Sequence, residues 1–389
     1  MKILWLCSWY PHSADRFDGD FIERHARALS AIQQVDVIHL VQNTGLLTNE
    51  TYRTEERKEN NLHAKIVFVP VPNTPFSKLT AALFNRRYYK QLLDILTEYI
   101  QQNGMPDIVH VHVPVKMGAG ALWLKRKYDI PFVVTEHANI YHNRQEENIH
   151  TYSPYFRFIT KRVIEKADAL ITVSDYLGKA INQFAGKKKY MVIPNVVDTS
   201  VFHYTEKEKN DSLFRFLHVS NLYPVKNPRL MLEAIRLFLK KDQSAEFIFS
   251  GNKTNEWEMA AAKLGICKKH IHFTGEIPYE KVAEEMKRAD ALFLYSKSET
   301  FSCVTAEALC CGLPVVSSNV GAIPELINID NGILAEPESA VALASAMLSL
   351  KANCNQFNRK KISEDASAKY NYRIVAEQLL SVYKKVLRK

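Results

Sequence analysis

The sequence predicts an α/β protein built as two doubly wound domains that face each other across a cleft. Three observations carry this. Short runs rich in Val, Ile and Leu alternate with amphipathic stretches, the whole alternation occurs twice, and a polar segment without apolar period lies between the two rounds. Strands that alternate with helices at this spacing are parallel and joined by crossover helices. Such sheets hold their ligands beyond the carboxyl ends of the strands, so the residues at those ends are the candidates for function.

In the first round the strand-like runs are Met1–Ser8, Val35–Gln42, Lys65–Val71, Ile108–His112, Phe132–Thr135 and Ala169–Ser174. The amphipathic stretches between them include Phe21–Ile32, Lys78–Gln102 and Tyr155–Lys166. In the second round Phe214–Ser220, Glu246–Gly251, Ile271–Thr274, Ala291–Tyr295 and Pro314–Ser318 read as strands. Pro228–Lys241, Asn255–Leu264, Tyr279–Arg288 and Thr305–Cys311 read as the helices that separate them. The boundary falls between Pro194 and Leu213, where Thr205-Glu-Lys-Glu-Lys-Asn-Asp is polar throughout. The predicted domains are residues 1–197 and 198–370.

Composition narrows the class. A chain of 389 residues supports two domains of ordinary size. With 47% hydrophobic and 24% charged residues it belongs with globular proteins rather than disordered or fibrous ones. No apolar run approaches the ~20 residues that span a bilayer. Ile3–Tyr10 resembles a short leader, but Pro11, Asp15, Arg16 and Asp18 follow it in place of a small-residue cleavage site, so a buried first strand is expected. Cys7, Cys267, Cys303, Cys310, Cys311 and Cys354 show no metal or disulfide spacing and fit a reducing, cytoplasmic compartment. The net charge of +9 suits an acidic substrate or an anionic membrane surface, though ordinary globular proteins also reach it.

One stretch is denser in information than any other: Ser298-Glu-Thr-Phe-Ser-Cys-Val-Thr-Ala-Glu-Ala-Leu, running into Gly312-Leu-Pro-Val-Val. Eight positions of helix between Glu299 and Glu307 leave about 80° of net rotation, so the two would not share a face if the whole segment were helical. Glu299 is therefore expected before the helix and Glu307 on it. The helix start between them offers unpaired N–H donors and a partial positive charge, which suits a diphosphate. Acids at both ends and amides in the middle describe a nucleotide-sugar. The plain alternative is two solvated surface acids.

These residues resemble the signature of the retaining glycosyltransferases of family 4, whose fold is GT-B. The resemblance extends along most of the chain. It includes Gly19 with Phe-Ile-Glu-Arg-His, the Thr135-Glu-His strand end, Ala167-Asp-Ala-Leu-Ile-Thr-Val-Ser, Ile193-Pro-Asn-Val-Val-Asp, His218-Val-Ser-Asn-Leu with Lys226, and Phe273-Thr-Gly-Glu-Ile. It implies that the backbone at Phe301, Ser302, Cys303 and Val304 cradles the donor phosphates, that Glu307 binds the ribose, and that Glu299 binds hydroxyls of the transferred sugar. It implies a hydrogen bond from His137 to that sugar. It also implies two cations on the leaving diphosphate, of which Lys226 is one; Asn221 stands where the other, an Arg, is usual. A final helix over residues 371–389 is expected to return to the first domain.

Other residues read less specifically. Gly19 would let the backbone approach a phosphate or the acceptor. Gly275 and Ile277 follow a strand and are placed to offer backbone groups to a nucleobase. Ordinary tight turns explain such glycines equally well. His137, at the end of its strand, is expected to point into the cleft, the alternative being a satisfied buried histidine. His110 and His112 share a strand face without an evident third ligand, which favours packing over metal. Asp18-Gly-Asp20 has a metal-nucleotide look, but Asp20 reads as the N-cap of the next helix, and no metal or cofactor is expected. Phe76–Ile100 sets Lys78, Arg86, Arg87 and Lys90 among Phe84, Tyr88 and Tyr89, a pattern for contact with anionic lipid or for an ordinary half-buried helix.

The expected activity is metal-independent transfer of a hexose or related sugar from a nucleotide-diphosphate-sugar such as a UDP- or GDP-sugar to a glycan or lipid-linked acceptor. Polysaccharide biosynthesis is the setting this suits, with no nucleic-acid partner. A nucleotide-sugar epimerase on the same fold, or a non-catalytic nucleotide-sugar-binding subunit, are the alternatives; Asn221 keeps the second open.

Overall fold

The computed structural model describes residues 1–43, 53–72, 75–142, 148–206, 213–252 and 254–388. Within the polar run Thr205–Asp211, residues 207–211 lie outside these. The chain forms two compact units, one of Met1–Val196 with Tyr372–Lys389, the other of Val197–Asn371.

The first unit is an eight-stranded sheet. Its strands are β1 (Ile3–Cys7), β2 (Val35–Asn43), β3 (Arg53–Glu59), β4 (Leu62–Pro70), β5 (Ile108–His112), β6 (Phe132–Glu136), β7 (Ala169–Thr172) and β8 (Tyr190–Val192), in the order β3-β4-β2-β1-β5-β6-β7-β8. All pairs are parallel except β3 with β4, an antiparallel edge. The crossover helices are α1 (Asp20–Ser30), α2 (Ser77–Asn103), α3 (Gly118–Tyr128), α4 (Pro154–Lys166) and α5 (Asp175–Ala185). β1, β5 and β6 are buried at every position, which is why β1 reads as an unbroken apolar run and β5 and β6 carry no exposed polar face. Ser153 and Ser174 cap α4 and α5 by accepting the amides of Phe156 and Leu177.

The start of α1 differs from the expected cap. Gly19, at φ 64°, occupies the cap position, and Asp20 is the first helical residue. The side chain of Asp20 pairs with Arg24 one turn on, at 2.7 Å, instead of capping an amide. A side chain at position 19 would collide with the Trp9 backbone at 2.7 Å, so only glycine allows this approach.

The second unit is a six-stranded, wholly parallel sheet. β9 (Phe214–Val219), β10 (Ala245–Ser250), β11 (Ile271–Gly275), β12 (Ala291–Leu294), β13 (Val315–Ser318) and β14 (Gly332–Ala335) lie in the order β11-β10-β9-β12-β13-β14. Its helices are α6 (Pro228–Leu239), α7 (Thr254–Lys263), α8 (Tyr279–Arg288), α9 (Cys303–Cys310), α10 (Ile323–Leu326), α11 (Ala340–Ala352) and α12 (Arg359–Tyr370). Phe216, Phe238, Phe247, Phe249 and Phe293 fill its centre with ring pairs 5.2 to 6.2 Å apart.

The last helix, α13 (Tyr372–Leu387), belongs to the first unit and packs against α1. Val375, Ala376, Leu379, Val382, Tyr383 and Val386 join the core that holds Ile22, Ala26 and Leu29. The Tyr383 hydroxyl meets His110 Nδ1 at 2.6 Å, while His110 Nε2 meets Thr135 Oγ1 at 2.7 Å. His110 is thus a packed and satisfied strand residue. No helix among the described residues is long and apolar enough to cross a membrane.

Leu379 is 1% exposed inside this seam. Leu379→Ala is expected to destabilise the first unit by about 2–5 kcal/mol. Denaturant titration followed by tryptophan fluorescence checks this, since Trp5, Trp9 and Trp123 all lie in that unit; an unmoved midpoint would show that α13 is not part of its core.

Candidate functional site

In the second sheet the chain runs outward from β9 through β10 to β11, then returns to the other side of β9 with β12. The two loops that leave β9 and β12 at their carboxyl ends are therefore neighbours, the usual place for a ligand in such a sheet. Their backbones join where the Lys297 amide donates to the Val225 carbonyl at 2.8 Å. Their side chains join where Lys226 Nζ donates to Glu299 Oε1 at 2.6 Å. Ser296 Oγ donates to the same oxygen, also at 2.6 Å.

Glu299 is held from its backbone as well. Its carbonyl accepts the amide of Ala322 at 2.9 Å, and Gly321, at φ 58°, lies so close that a Cβ there would fall 2.1 Å from that oxygen. Asn221, by contrast, is exposed, and its Oδ1 lies 3.5 Å from the amide of Tyr223. It supplies no charge, so Lys226 is the cation that the β9 loop brings to this place.

Beyond Glu299 the chain passes Phe301 and Ser302, both buried, and enters α9 at Cys303 and Val304. Ser302 Oγ caps the amide of Thr305, which spares one N–H, while the first turn still begins beside Glu299. Glu307 follows on α9 and is 6% exposed; Tyr279 donates its hydroxyl to Glu307 Oε1 at 3.1 Å. Tyr279 opens α8 directly after the loop that carries Gly275, at φ 73°, and the half-buried Ile277. The Tyr279–Glu307 bond therefore links the β11 loop to α9. Within one unit the fold gathers Lys226, Glu299, the α9 start and Glu307, with Gly275 and Ile277 tied in through Tyr279. Ser296 and Tyr279 had no signal in the motif.

Gly19 and His137 lie in the first unit. His137 follows β6, and its ring packs on Phe21 at 4.9 Å, two residues beyond Gly19. It does not project freely beyond its strand: it is 5% exposed, and both ring nitrogens have partners. The Asn195 oxygen can only accept, so His137 donates to it from Nδ1 at 3.0 Å and His25 from Nε2 at 3.3 Å. That leaves His137 Nε2 to accept from His112 Nδ1 at 3.3 Å. Each of these rings is consistent with the neutral form, and burial holds His25 down to about 4 and His110, His112 and His137 well below the usual histidine value. Glu136, just before His137, accepts the amides of His137 and Ala138 and the Tyr141 hydroxyl, yet burial pushes it up to about 7.

The first unit also has a cavity of about 740 Å³ beyond the ends of β1, β2 and β4. Asp18 stands in it, with Oδ2 3.7 Å from both His12 Nε2 and His39 Nε2. Three potential ligand atoms lie within 4.8 Å of one another, which invites a metal reading. The donor set does not fit one. His12 Nδ1 accepts the amides of Ala14 and Asp15, so the neutral ring carries its proton on Nε2, the atom that faces Asp18.

Two Rossmann-like units, each with polar groups gathered beyond its strand ends, are the architecture of the GT-B glycosyltransferases. Solved structures of that fold superpose on the chain. Sucrose-phosphate synthase from Thermosynechococcus elongatus matches with a TM-score of 0.79 over 100% of each chain at 17% identity. Anabaena Alr3699/HepE in complex with UDP and glucose matches with a TM-score of 0.73 over 99% of this chain and 100% of that one, at 16% identity. In sequence, TuaC, a Bacillus subtilis (strain 168) glycosyltransferase named for teichuronic acid biosynthesis, is 26% identical over 366 residues, covering 89% of this chain and 88% of its own. The model for Glycosyltransferase Family 4 matches residues 19–201, and that for Glycosyl transferases group 1 matches residues 203–368. With both halves matched, the chain belongs to the family 4 glycosyltransferases, enzymes of the EC 2.4 class.

The neutral histidines fix the direction of a pH effect. Unfolded histidines take up protons near pH 6.5, whereas His25, His110, His112 and His137 resist protonation until far lower. Their contribution to stability is full above about pH 6.5 and is lost as pH falls, at up to ~1.4 kcal/mol per pH unit for each ring. Glu136 acts oppositely, its contribution being full below the ordinary carboxyl value and lost as pH rises through about 7, but it is one group against four. The melting temperature is expected to fall by several degrees between about pH 7.5 and about pH 5.5. Calorimetry at the two pH values checks this, and a higher melting temperature at the acid value would rule out the neutral cluster.

Proposed function

We propose that the chain transfers a sugar, with retention at its anomeric carbon, from a nucleotide-diphosphate-sugar to a glycan or lipid-linked acceptor, without a metal or other cofactor. The observation that carries this is the meeting of Lys226, Glu299 and the α9 start at the β9–β12 switch, about one helical turn before a buried Glu307. In this reading the diphosphate lies on the amides from Phe301 to Val304, Lys226 neutralises its charge, Glu307 holds the ribose and Glu299 the sugar hydroxyls. Gly275 and Ile277 border the base. Gly19 belongs to the acceptor side of the reaction, and His137 acts there as a positioning residue through its ring contact with Phe21. The occurrence of UDP and glucose in the HepE complex supports a donor of this class.

The chemistry follows from what the site offers. Neither acid stands free as a nucleophile, since Glu299 is bound by Lys226 and Ser296 and Glu307 by Tyr279. The bond from the anomeric carbon to the phosphate oxygen breaks, the acceptor oxygen forms its bond on the same face, and its proton passes to the departing phosphate oxygen. The protein contributes positioning and a preorganised positive field for the leaving diphosphate. With Asn221 in place of a second cation, that field depends on Lys226 and the α9 amides. The same feature favours the second reading, a subunit that binds the nucleotide-sugar without turning it over.

A lipid-linked acceptor accords with the first half of α2. Phe84 and Tyr88 turn into the core, but Phe76, Leu79 and Leu83 are exposed among Lys78, Arg86 and Lys90. Tyr155 and Phe158 of α4 are exposed too, and the Tyr155 ring lies 6.5 Å from that of Tyr89. Apolar side chains beside basic ones are suited to the face of an anionic bilayer.

Calorimetric titration with UDP and GDP tests the assignment. Glu307→Ala is expected to weaken binding of the preferred nucleotide about tenfold or more, since it removes a hydrogen bond to a charged group. Lys226→Met is expected to lower transfer by about 10²–10³ while the protein still folds. Unchanged nucleotide affinity in the Glu307 variant would refute the donor site, and nucleotide binding without donor consumption would favour the non-catalytic reading.

A further inference from the structure

The cavity of the first unit holds polar groups that the donor site leaves unused. His39 is 2% exposed, and its tautomer is set by its own chain: Nδ1 must donate to the Cys7 carbonyl at 2.8 Å, so in the neutral ring Nε2 carries the lone pair. That Nε2 is buried and has no hydrogen-bond partner among the described residues. It faces Asp18 Oδ2 at 3.7 Å, so two acceptors confront each other across a gap. His12 adds a donor, because its Nε2 bears the proton and also faces Asp18 at 3.7 Å. An acceptor nitrogen, an acceptor carboxylate and a donor nitrogen within 4.8 Å form the complement of hydroxyl groups, which both donate and accept.

The lining of the same cavity also carries a charge. Lys116 lines the same cavity, half-buried, with its ammonium 5.1 Å from the Phe84 ring centre and 5.4 Å from that of Tyr88. No carboxylate among the described residues pairs with it, and burial lowers its affinity for a proton. The other cation of the wall, Arg53, is already committed to Glu55 at 2.8 Å. Trp9, Phe68 and Tyr88 add apolar surface to the lining. The volume is that of a small-molecule site.

We propose that this cavity binds the acceptor end of the reaction as a polyhydroxylated ring bearing an oxyanion, its hydroxyls on His39, Asp18 and His12 and its carboxylate or phosphate on Lys116. The word acceptor rests on the transferase reading; the binding chemistry does not. A sugar hydroxyl donates to His39 Nε2, a second donates to Asp18, and His12 returns a bond to one of them. The oxyanion then supplies a counter-charge that the ammonium lacks among the described residues.

Saturation-transfer NMR and titration on the full chain, without nucleotide, test this with three probes: glucuronate, glucose 6-phosphate and glucose. At least one charged probe is expected to bind about tenfold more tightly than glucose, and whichever does so identifies the oxyanion. Lys116→Met is expected to abolish that preference while glucose binding persists. Asp18→Asn, at a partly exposed position that leaves the core intact, is expected to weaken all the probes that bind. Equal binding of charged and neutral probes, a preference that survives Lys116→Met, or no saturable binding of any probe overturns the proposal. Because no donor is present, these outcomes are separate from the nucleotide titrations on Glu307.

Discussion

Lys226 and Glu299 are 73 residues apart in sequence and 2.6 Å apart in space, and the candidate donor site depends on that meeting. The contact exists because β12 returns to the side of β9 opposite β10, so that the ends of the first and fourth strands of the sheet are adjacent. A pair that is a quarter exposed or less gains more from its mutual attraction than a surface pair, since water screens it poorly. It also keeps a flexible lysine arm from sampling solvent, so the ammonium is already oriented when an anion arrives. Ser296 and the Ala322 amide fix the glutamate in turn, one by its carboxylate and one by its carbonyl. The site is preorganised from two directions before any ligand is present.

The first unit solves a different problem. Beyond β5 and β6 it buries imidazoles that a fully apolar core would exclude, and it does so by keeping them neutral and chained to one another through Asn195. His110 is secured separately by Tyr383, a residue of the last helix. The C-terminal segment is therefore part of the electrostatics of the first unit as well as of its packing. A buried ring whose partner is removed keeps its desolvation cost without its bond, which is why such networks tolerate little loss.

Much of this was legible in the residues and some was not, for reasons that are physical. Runs such as Ile3–Cys7 and Phe132–Val134 are buried on both faces and so are apolar throughout. β3 escaped because Arg-Thr-Glu-Glu-Arg-Lys-Glu has no apolar face at all, as befits an edge strand that must not recruit another chain. α3 escaped because Gly118 and Gly120 interrupt its period; Val163 and Leu96 press so closely that a Cβ would lie 2.8 and 2.9 Å from them. Glu299, Glu307 and Lys226 were readable from short motifs whose chemistry is local. Tyr279, Ser296 and the partners of His137 were not, because those contacts depend on strand order: Asn195 is 58 residues from His137 and 170 from His25. The place of Asp20 on α1 went the other way, since a local cap rule was overridden by a glycine that had to pass Trp9.

Both units carry strained backbone just past a strand, β5 in the first and β9 in the second. After β5, Val113 has φ 60° and Lys116 φ 56°; after β9, Leu222 has φ 52° and Asn227 φ 55°. Asparagine visits this region readily, but a β-branched valine does not, and each such residue costs on the order of 1–3 kcal/mol. The surroundings hold them there: Ser8 Oγ donates to the carbonyls of Val113 and Val115, the Val113 amide donates to Thr135, and the Leu222 amide donates to Ser220 Oγ. In each case a lysine is involved: Lys116 is itself one of the strained residues, and Lys226 lies between Leu222 and Asn227. A relaxed turn would redirect the chain at each lysine. The same device occurs on two separate sheets, each at the carboxyl edge where ligands of such folds sit.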